Sequence, residues 1–548
     1  MTENRRGRRF PGVRSAILGC LVALLFPLTS VSAADVSPIT DMAWDVGDAD
    51  PGVAFTGGIR ALVWDIEEHD GTVYVAGKFL NVYADNGDQF PQPYLAAFDL
   101  ETGEWVHSFQ PNPRGPIYAI DITDDGTIIA GGEIPGGLQA IDANSGADVQ
   151  GFATNITYPS ARPAVFDVEI VGDVVYLGGR FTKSGTTTLG NLARVDLNTG
   201  ALDQSWRPTT QLDTGTPRDG GINVFGLSVD QTRDRVYIAG KFGGVNGNST
   251  AAYFATLNTS SGALRTDVPQ GLPPGILSHR ELFSMWQHDV QFHADRVYVG
   301  GQAHQTLILD ATTLKPLRSF FTDRGFGQEF GGGDTQVLHV GKTTVWAGCH
   351  CWGVVAEYPL GYRNSANRSG NQGAAEYRSV MSELNGVQGS FGQRPVSAGY
   401  GIDLATGNRV DIDFQLNGQA GAHAMLEDSN GRLWVGGQFT QDTHRKRAVR
   451  GLARFSRIEA NDANPPAPTG LRSTYQNRDR LVLTWLRRAG AARYEVLQDG
   501  VVIGTNVDPW RTVFNLRAGT TYNYSVRAVL TDGTVTAVSA PVAVSTRP

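Results

Sequence analysis

Cys349 and Cys351, with His350 between them and Trp352 behind, are the densest group of reactive side chains in the sequence. Two soft ligands and one imidazole fall short of a tetrahedral zinc site. In an exported chain a Cys349–Cys351 disulfide is the preferred reading, ahead of free thiols and metal. Other chemistry is sparse. The sequence contains no G-x-S-x-G elbow, no H-E-x-x-H pair and no phosphate-binding glycine loop. His279, His288, His293 and His304 cluster in sequence but belong to different expected elements. No pair of acids can be placed at glycosidase separation. Asp85, Asn86 and Asp88 could hold calcium, although Asp/Asn turns are the commoner use of such residues.

What must position these groups is a repeat. Seven segments close alike: GTVYVAGKF, GTIIAGGEI, GDVVYLGGRF, DRVYIAGKF, DRVYVGGQA, TTVWAGCHC and GRLWVGGQF, the glycines being Gly77, Gly132, Gly179, Gly240, Gly301, Gly348 and Gly437. An apolar strand precedes each copy. A strand ending near Asp follows, then a Thr-Gly or Ser-Gly turn, as in LAAFDLETG, LQAIDANSG and LARVDLNTG. A fourth strand often ends in an aromatic: Phe109, Trp206, Phe320 or Phe414. Four short strands per unit, with no long amphipathic helical pattern, predict an all-β protein whose units are propeller blades. DMAWDV (41–46) lacks a blade of its own and LARFS (452–456) lacks a following strand, so pairing of the two is expected to close a ring of seven.

The run from Gly178 to Pro208 (GG-x-F-T, then LARVD, then TG-x-LD-x-W-x-P) resembles the delta-60 type repeat propellers of secreted bacterial proteins, and is loosely similar to kelch and quinoprotein propellers. The resemblance spans about residues 41–458 and implies architecture rather than activity. Beyond a proline-containing linker (459–468), LVLTW, YEV and TYNYSV within 469–548 resemble a fibronectin type III module. The resemblance implies a β-sandwich with Trp485 in its core and the Tyr522 hydroxyl satisfying backbone at a corner. In secreted bacterial proteins such modules act as spacers or adhesive appendages.

The first 34 residues carry five arginines before an apolar run and end in Val-Ser-Ala-Ala, as a secretory leader does. A secreted, extracellular protein is expected, with no stable membrane insertion after leader cleavage; an uncleaved anchor is the alternative. Without the leader the chain holds 41 Lys+Arg against 53 Asp+Glu, which excludes a nucleic-acid partner that would need a basic face. The propeller is expected to occupy 35–458, with an insertion at 354–398 in the sixth blade.

Aligning the inner strands gives one candidate per blade: Arg60, Tyr118, Phe166, Asn223, Phe283, Gln336 and His423. Aromatic rings beside amide, guanidinium and imidazole groups suit stacking on, and hydrogen bonding to, a sugar or a peptide loop, whereas packing between blades is the plain alternative. The insertion, with a helix-like run at 374–384, adds Tyr362, Arg363, Tyr377 and Arg378, residue types that dominate binding hot spots. The expected partner is an extracellular glycan or a cell-surface protein, bound without a cofactor unless calcium is present. A polysaccharide-active hydrolase or lyase with an accessory fibronectin module is the alternative.

Overall fold

The computed structural model describes residues 44–49, 63–84, 87–159, 161–212, 221–273, 286–301, 305–323, 333–351, 354–357, 394–395, 398–405, 407, 409–410, 414, 416–417, 421–441, 449–455, 467–486, 488, 491–506, 508–530 and 535–548. Among them every regular element is a β-strand. Seven antiparallel triplets recur. Their inner strands are Val63–His69, Ile117–Ile122, Ala164–Val171, Asn223–Asp230, Gln287–His293, Thr335–Val340 and Gly421–Glu427. The second strands carry the repeated motif and five of the seven third strands end at an Asp, as in Leu95–Asp99 and Leu192–Asp196. Second strands are buried almost end to end, as in Thr72–Gly77, because neighbouring sheets cover both faces.

Each inner strand contacts the next, and Gly421–Glu427 contacts Val63–His69, so the triplets form a closed cycle. Closure is apolar: Ala424, Leu426, Trp434 and Leu452 of the last triplet share one buried cluster with Val46, Val63, Ile66 and Val73. This is a β-propeller. The strand-ending Asp makes the turn that follows. The carboxylates of Asp99, Asp142, Asp196 and Asp310 each accept the backbone N–H and the hydroxyl of the Thr or Ser three residues on. Those bonds hold all four carboxyls below the usual range.

Two expectations are corrected. The strand Trp44–Ala49 pairs with Phe79–Ala84, in the loop after the first Gly, and not with Leu452–Phe455. It reaches the seventh unit through a loop instead: the Val46 N–H donates to the Arg450 carbonyl (3.1 Å), and Asp45 accepts the Arg450 N–H (3.0 Å). Among the described residues the fourth strand is mostly vestigial, a single bridge such as Phe98 with Trp105 or Val195 with Leu202, and is long only at Pro316–Asp323. The expected aromatics Phe109, Trp206, Phe320 and Phe414 are nevertheless all buried.

The insertion also behaves differently from a decoration of its own unit. Its first strand, Val354–Glu357, adds to Pro316–Asp323 of the preceding sheet, and Arg394–Pro395 pairs with that strand. Residues 469–548 form a separate core of two sheets, of three and four strands, around Trp485, Tyr494, Tyr524 and Val526. The Tyr522 hydroxyl accepts the Arg517 N–H at 2.9 Å, as the sequence suggested. Among the described residues no helix is long and apolar enough to cross a membrane.

Candidate functional site

The double glycine is imposed by two close approaches. A Cβ on the second glycine would meet the carbonyl oxygen of its own inner strand: Pro116 O lies 2.1 Å from that position at Gly132, Ala164 O 2.2 Å at Gly179 and Gly421 O 2.1 Å at Gly437. A Cβ on the first would meet the next unit's inner strand, Val165 at Gly131, Val224 at Gly178 and Val63 at Gly436. Facing this crowded point every inner strand bulges by one residue. The bulged residues are Trp64, Tyr118, Phe166, Phe225, His288, Gln336 and His423.

They form a girdle around the central channel. Ring centroids run 5.3 Å from Trp64 to Tyr118, 5.5 Å on to Phe166, 5.3 Å to Phe225 and 5.4 Å to His288, and His423 returns to Trp64 at 5.0 Å. Tyr118, Phe166, Gln336 and His423 are therefore where the sequence placed them. Asn223 is not: it is the first residue of its strand, paired with Lys241, and Phe225 takes the ring position. In the first and fifth units the ring residues are Trp64 and His288, whereas Arg60 and Phe283 lie outside the described residues. Counting back from the double glycine and adding the bulge would have found all seven.

A second tier comes from the residue after the second glycine: Lys78, Glu133, Arg180, Lys241, His350 and Gln438. The Tyr118 hydroxyl donates to Glu133 at 3.0 Å, and Arg180 stands 3.6 Å from Glu133. Lys78, almost fully buried, lies 5.5 Å from the Tyr118 ring centre and 6.0 Å from that of Trp64, while Lys241 lies 3.9 Å above Trp286. In the sixth unit the register places Cys349, not Gly348, at the second-glycine position, because Cys349 pairs with Thr335 as Gly301 pairs with Gln287. Cys351 takes the place of Phe79, Phe181 and Phe242. The two cysteines are joined in a disulfide and are buried. His350, between them, lies 5.6 Å from His423 and 3.9 Å from the Asp334 carboxylate. Tyr362, Arg363, Tyr377 and Arg378 lie outside the described residues, as do Asp85 and Asn86 and the run 374–384.

Below the aromatic girdle a cavity of about 820 Å³ follows the channel to the hairpin turns at Gly172, Thr232 and Ala294. Its wall holds a set of acids that inspection of the sequence missed. Asp65, Asp167 and Asp289 each follow the bulge in alternate units. Asp65 accepts the N–H groups of Ile66 (2.8 Å) and, across the junction, Ile120 (2.7 Å). Asp167 accepts Leu227 (2.5 Å), and Asp289 accepts Val290 and Leu338 (both 2.6 Å). Intervening units carry Ala119, Gly226, Val337 and Ala424 there. Gly226 makes room, since a Cβ would lie 2.8 Å from the Asp289 Cα. One turn deeper Asp121 bonds Ile170 (2.6 Å) and Glu169 bonds Val229 (3.1 Å).

Burial outweighs these bonds and pushes Asp65 up to about 7 and Asp289 to about 6. Burial, then repulsion from Asp289, raises Asp167 well above the usual range. Burial lowers His339 to about 4 and depresses His288. The carboxylates thus lace adjacent sheets together through backbone. Among the described residues no group of three or more His, Cys, Asp or Glu is placed to hold a metal ion.

Residues 416–439 match the family described as two component regulator propeller. No curated protein matches. Similar solved structures include the WD40 β-propeller domain of Doa1, 10% identical over 76% of this chain and 98% of that one, TM-score 0.38. BamB from Moraxella catarrhalis is 15% identical over 72% of this chain and 96% of its own, TM-score 0.37. A Family 28 exopolygalacturonase from Yersinia enterocolitica is 19% identical over 15% of this chain and 20% of that enzyme, TM-score 0.14, so the chain spans about a fifth of its length.

Proposed function

We propose that this chain is an extracellular recognition protein in which a seven-bladed propeller, released by cleavage of residues 1–34, binds a glycan or a surface protein at the channel mouth. The fibronectin type III module at 469–548 completes it as a spacer or adhesive appendage. One observation carries the reading: in six units one polar side chain stands beside a girdle of aromatic rings, Glu133, Arg180 and Gln438 half-buried and Lys78, Lys241 and His350 buried against it. Three of the six are basic residues, in a chain of net charge −8. A mouth of this sign favours a carboxylate-bearing sugar or an acidic loop, with stacking faces and hydrogen-bond donors side by side. The reading extends the binding surface to the insertion that follows the Cys349–Cys351 bridge, on the residue types of Tyr362, Arg363, Tyr377 and Arg378.

The test is a glycan array probed with the leaderless chain, with reducing-sugar release measured on each hit. E133Q and R180Q should each weaken the best hit, and replacing 360–396 by a short Gly/Ser link should abolish it while the thermal transition stays put. Unchanged binding in all three variants removes the mouth as the site. Release of reducing sugar moves the chain to the alternative class, a polysaccharide-active enzyme.

A further inference from the structure

We propose that the outer face of the three-stranded sheet in the C-terminal sandwich is itself a binding site for an anionic polysaccharide. The module is charged against the rest of the chain: residues 469–548 hold ten arginines, no lysine and five acids. Strand register shows what faces outward. Leu481, Leu483 and Trp485 point into the core, so Val482 and Thr484 point away from it. Their partners across the sheet are Tyr475 and Thr512 for Val482, and Arg472 and Trp510 for Thr484. Phe514 follows the strand Trp510–Val513. Three aromatic rings thus stand on one flat face, Trp510 50%, Phe514 60% and Tyr475 46% exposed.

The surroundings indicate which occupant fits. Arg472 shares the row of Trp510, and the Arg480 guanidinium lies 5.7 Å over the Tyr475 ring. Asp479 and Asp508 are the nearest acids in sequence. From strand spacing and rise, Tyr475 and Trp510 stand about 12 Å apart. Rings so far apart stack on separate sugars of one extended chain rather than on one compact group. Thr512, between them, offers a hydroxyl to sugar hydroxyls. A contiguous apolar patch, as a protein interface or lipid insertion would need, is not what separates the rings. Positive charge without lysine suits carboxylates, which arginine grips with a planar fork. Uronate or sulfated chains are the ligand class.

The leaderless full chain is run through native gels containing alginate, with neutral dextran as the reference polymer. The expected result is retardation by alginate only, weakened by added salt. W510A/Y475A and R472Q/R480Q should each reduce affinity on the order of tenfold. These positions are exposed, and an unchanged melting curve verifies folding. E133Q and R180Q, at the propeller mouth, report the mouth's own share of any alginate retardation. Equal mobility in alginate and dextran overturns the proposal. So does loss of retardation only in the mouth variants, or wild-type affinity in both sandwich variants. Preferential capture by phosphatidylglycerol vesicles over alginate, lost in W510A/Y475A, assigns the face to membranes and overturns it as well.

Discussion

Gly436 is the point at which the propeller ring can be probed for closure with one methyl group. Its backbone is outside the left-handed region, so alanine is tolerated conformationally and the cost is steric. The added Cβ would sit 2.2 Å from Val63 Cγ1, 2.7 Å from Val63 Cβ and 3.1 Å from Ala424 Cβ. Carbon atoms rest at about 3.5–4.0 Å, so Val63 and the first sheet must retreat by more than ~1 Å. Overpacking of this kind costs about 1–3 kcal/mol. V63A alone removes two methyl groups from a fully buried site and costs on the order of 2 kcal/mol. In G436A/V63A the 2.2 Å clash with Cγ1 is gone and only the 2.7 Å approach to the retained Cβ remains, so the double variant should be less destabilised than the sum by about 1 kcal/mol. Urea unfolding followed by tryptophan fluorescence reads the cycle. G178A paired with V63A, at different junctions, should be additive. If G436A and V63A also add within about 0.5 kcal/mol, the last and first sheets do not meet as described.

The buried acids give stability a pH signature. Asp65, at about 7 in the folded chain against an ordinary 3.8, contributes stability that is present below 3.8 and lost as pH rises through 7, whereas His339, at about 4 against 6.5, contributes above 6.5 and loses it as pH falls through 4. Between about pH 4 and 6.5 these two contributions oppose each other, and above 6.5 stability should fall by roughly 0.8 kcal/mol from Asp65 alone by pH 8, with Asp167 adding to it; a urea midpoint that rises over that interval contradicts the burial argument. C349S/C351S should lower propeller stability by roughly 1.6 kcal/mol, the chain-entropy value for so short a loop, and an unchanged midpoint would show that the backbone bonds of Cys349 and Cys351 to Ala398 already hold it. Y522F removes the acceptor for the Arg517 N–H and should cost the sandwich about 0.5–1.5 kcal/mol while leaving the propeller transition where it is; a shift in both would show that the two cores unfold together.

The double glycine is legible in sequence because backbone contact enforces it in most units, so it repeats. The inner girdle is only half legible. Tyr118, Phe166, Gln336 and His423 align by eye, but Arg60, Asn223 and Phe283 lie four, two and five residues ahead of Trp64, Phe225 and His288, because the apolar pattern alone does not mark where these three strands begin. Asp65, Asp167 and Asp289 escape a repeat search because they occupy only alternate units, their neighbours being small so that each carboxyl has room. The partner of Trp44–Ala49 was misjudged because ladder pairing between remote segments leaves no local trace. The same holds for Val354–Glu357, whose pattern cannot reveal that it joins the preceding sheet.

Alternation around the channel carries a parity problem. An acid in every other unit is self-consistent on an even ring, where each carboxylate finds a small neighbour on both sides. On an odd ring the pattern cannot close. Asp65, Asp167 and Asp289 exhaust the available places, and Val337 and Ala424 are left side by side, the one junction among the described triplets with no post-bulge carboxylate on either side. His350 and His423 meet just above that junction, and the disulfide lies beside it. The described triplets thus leave an otherwise repetitive wall asymmetric at one junction, so the channel has a distinguishable side.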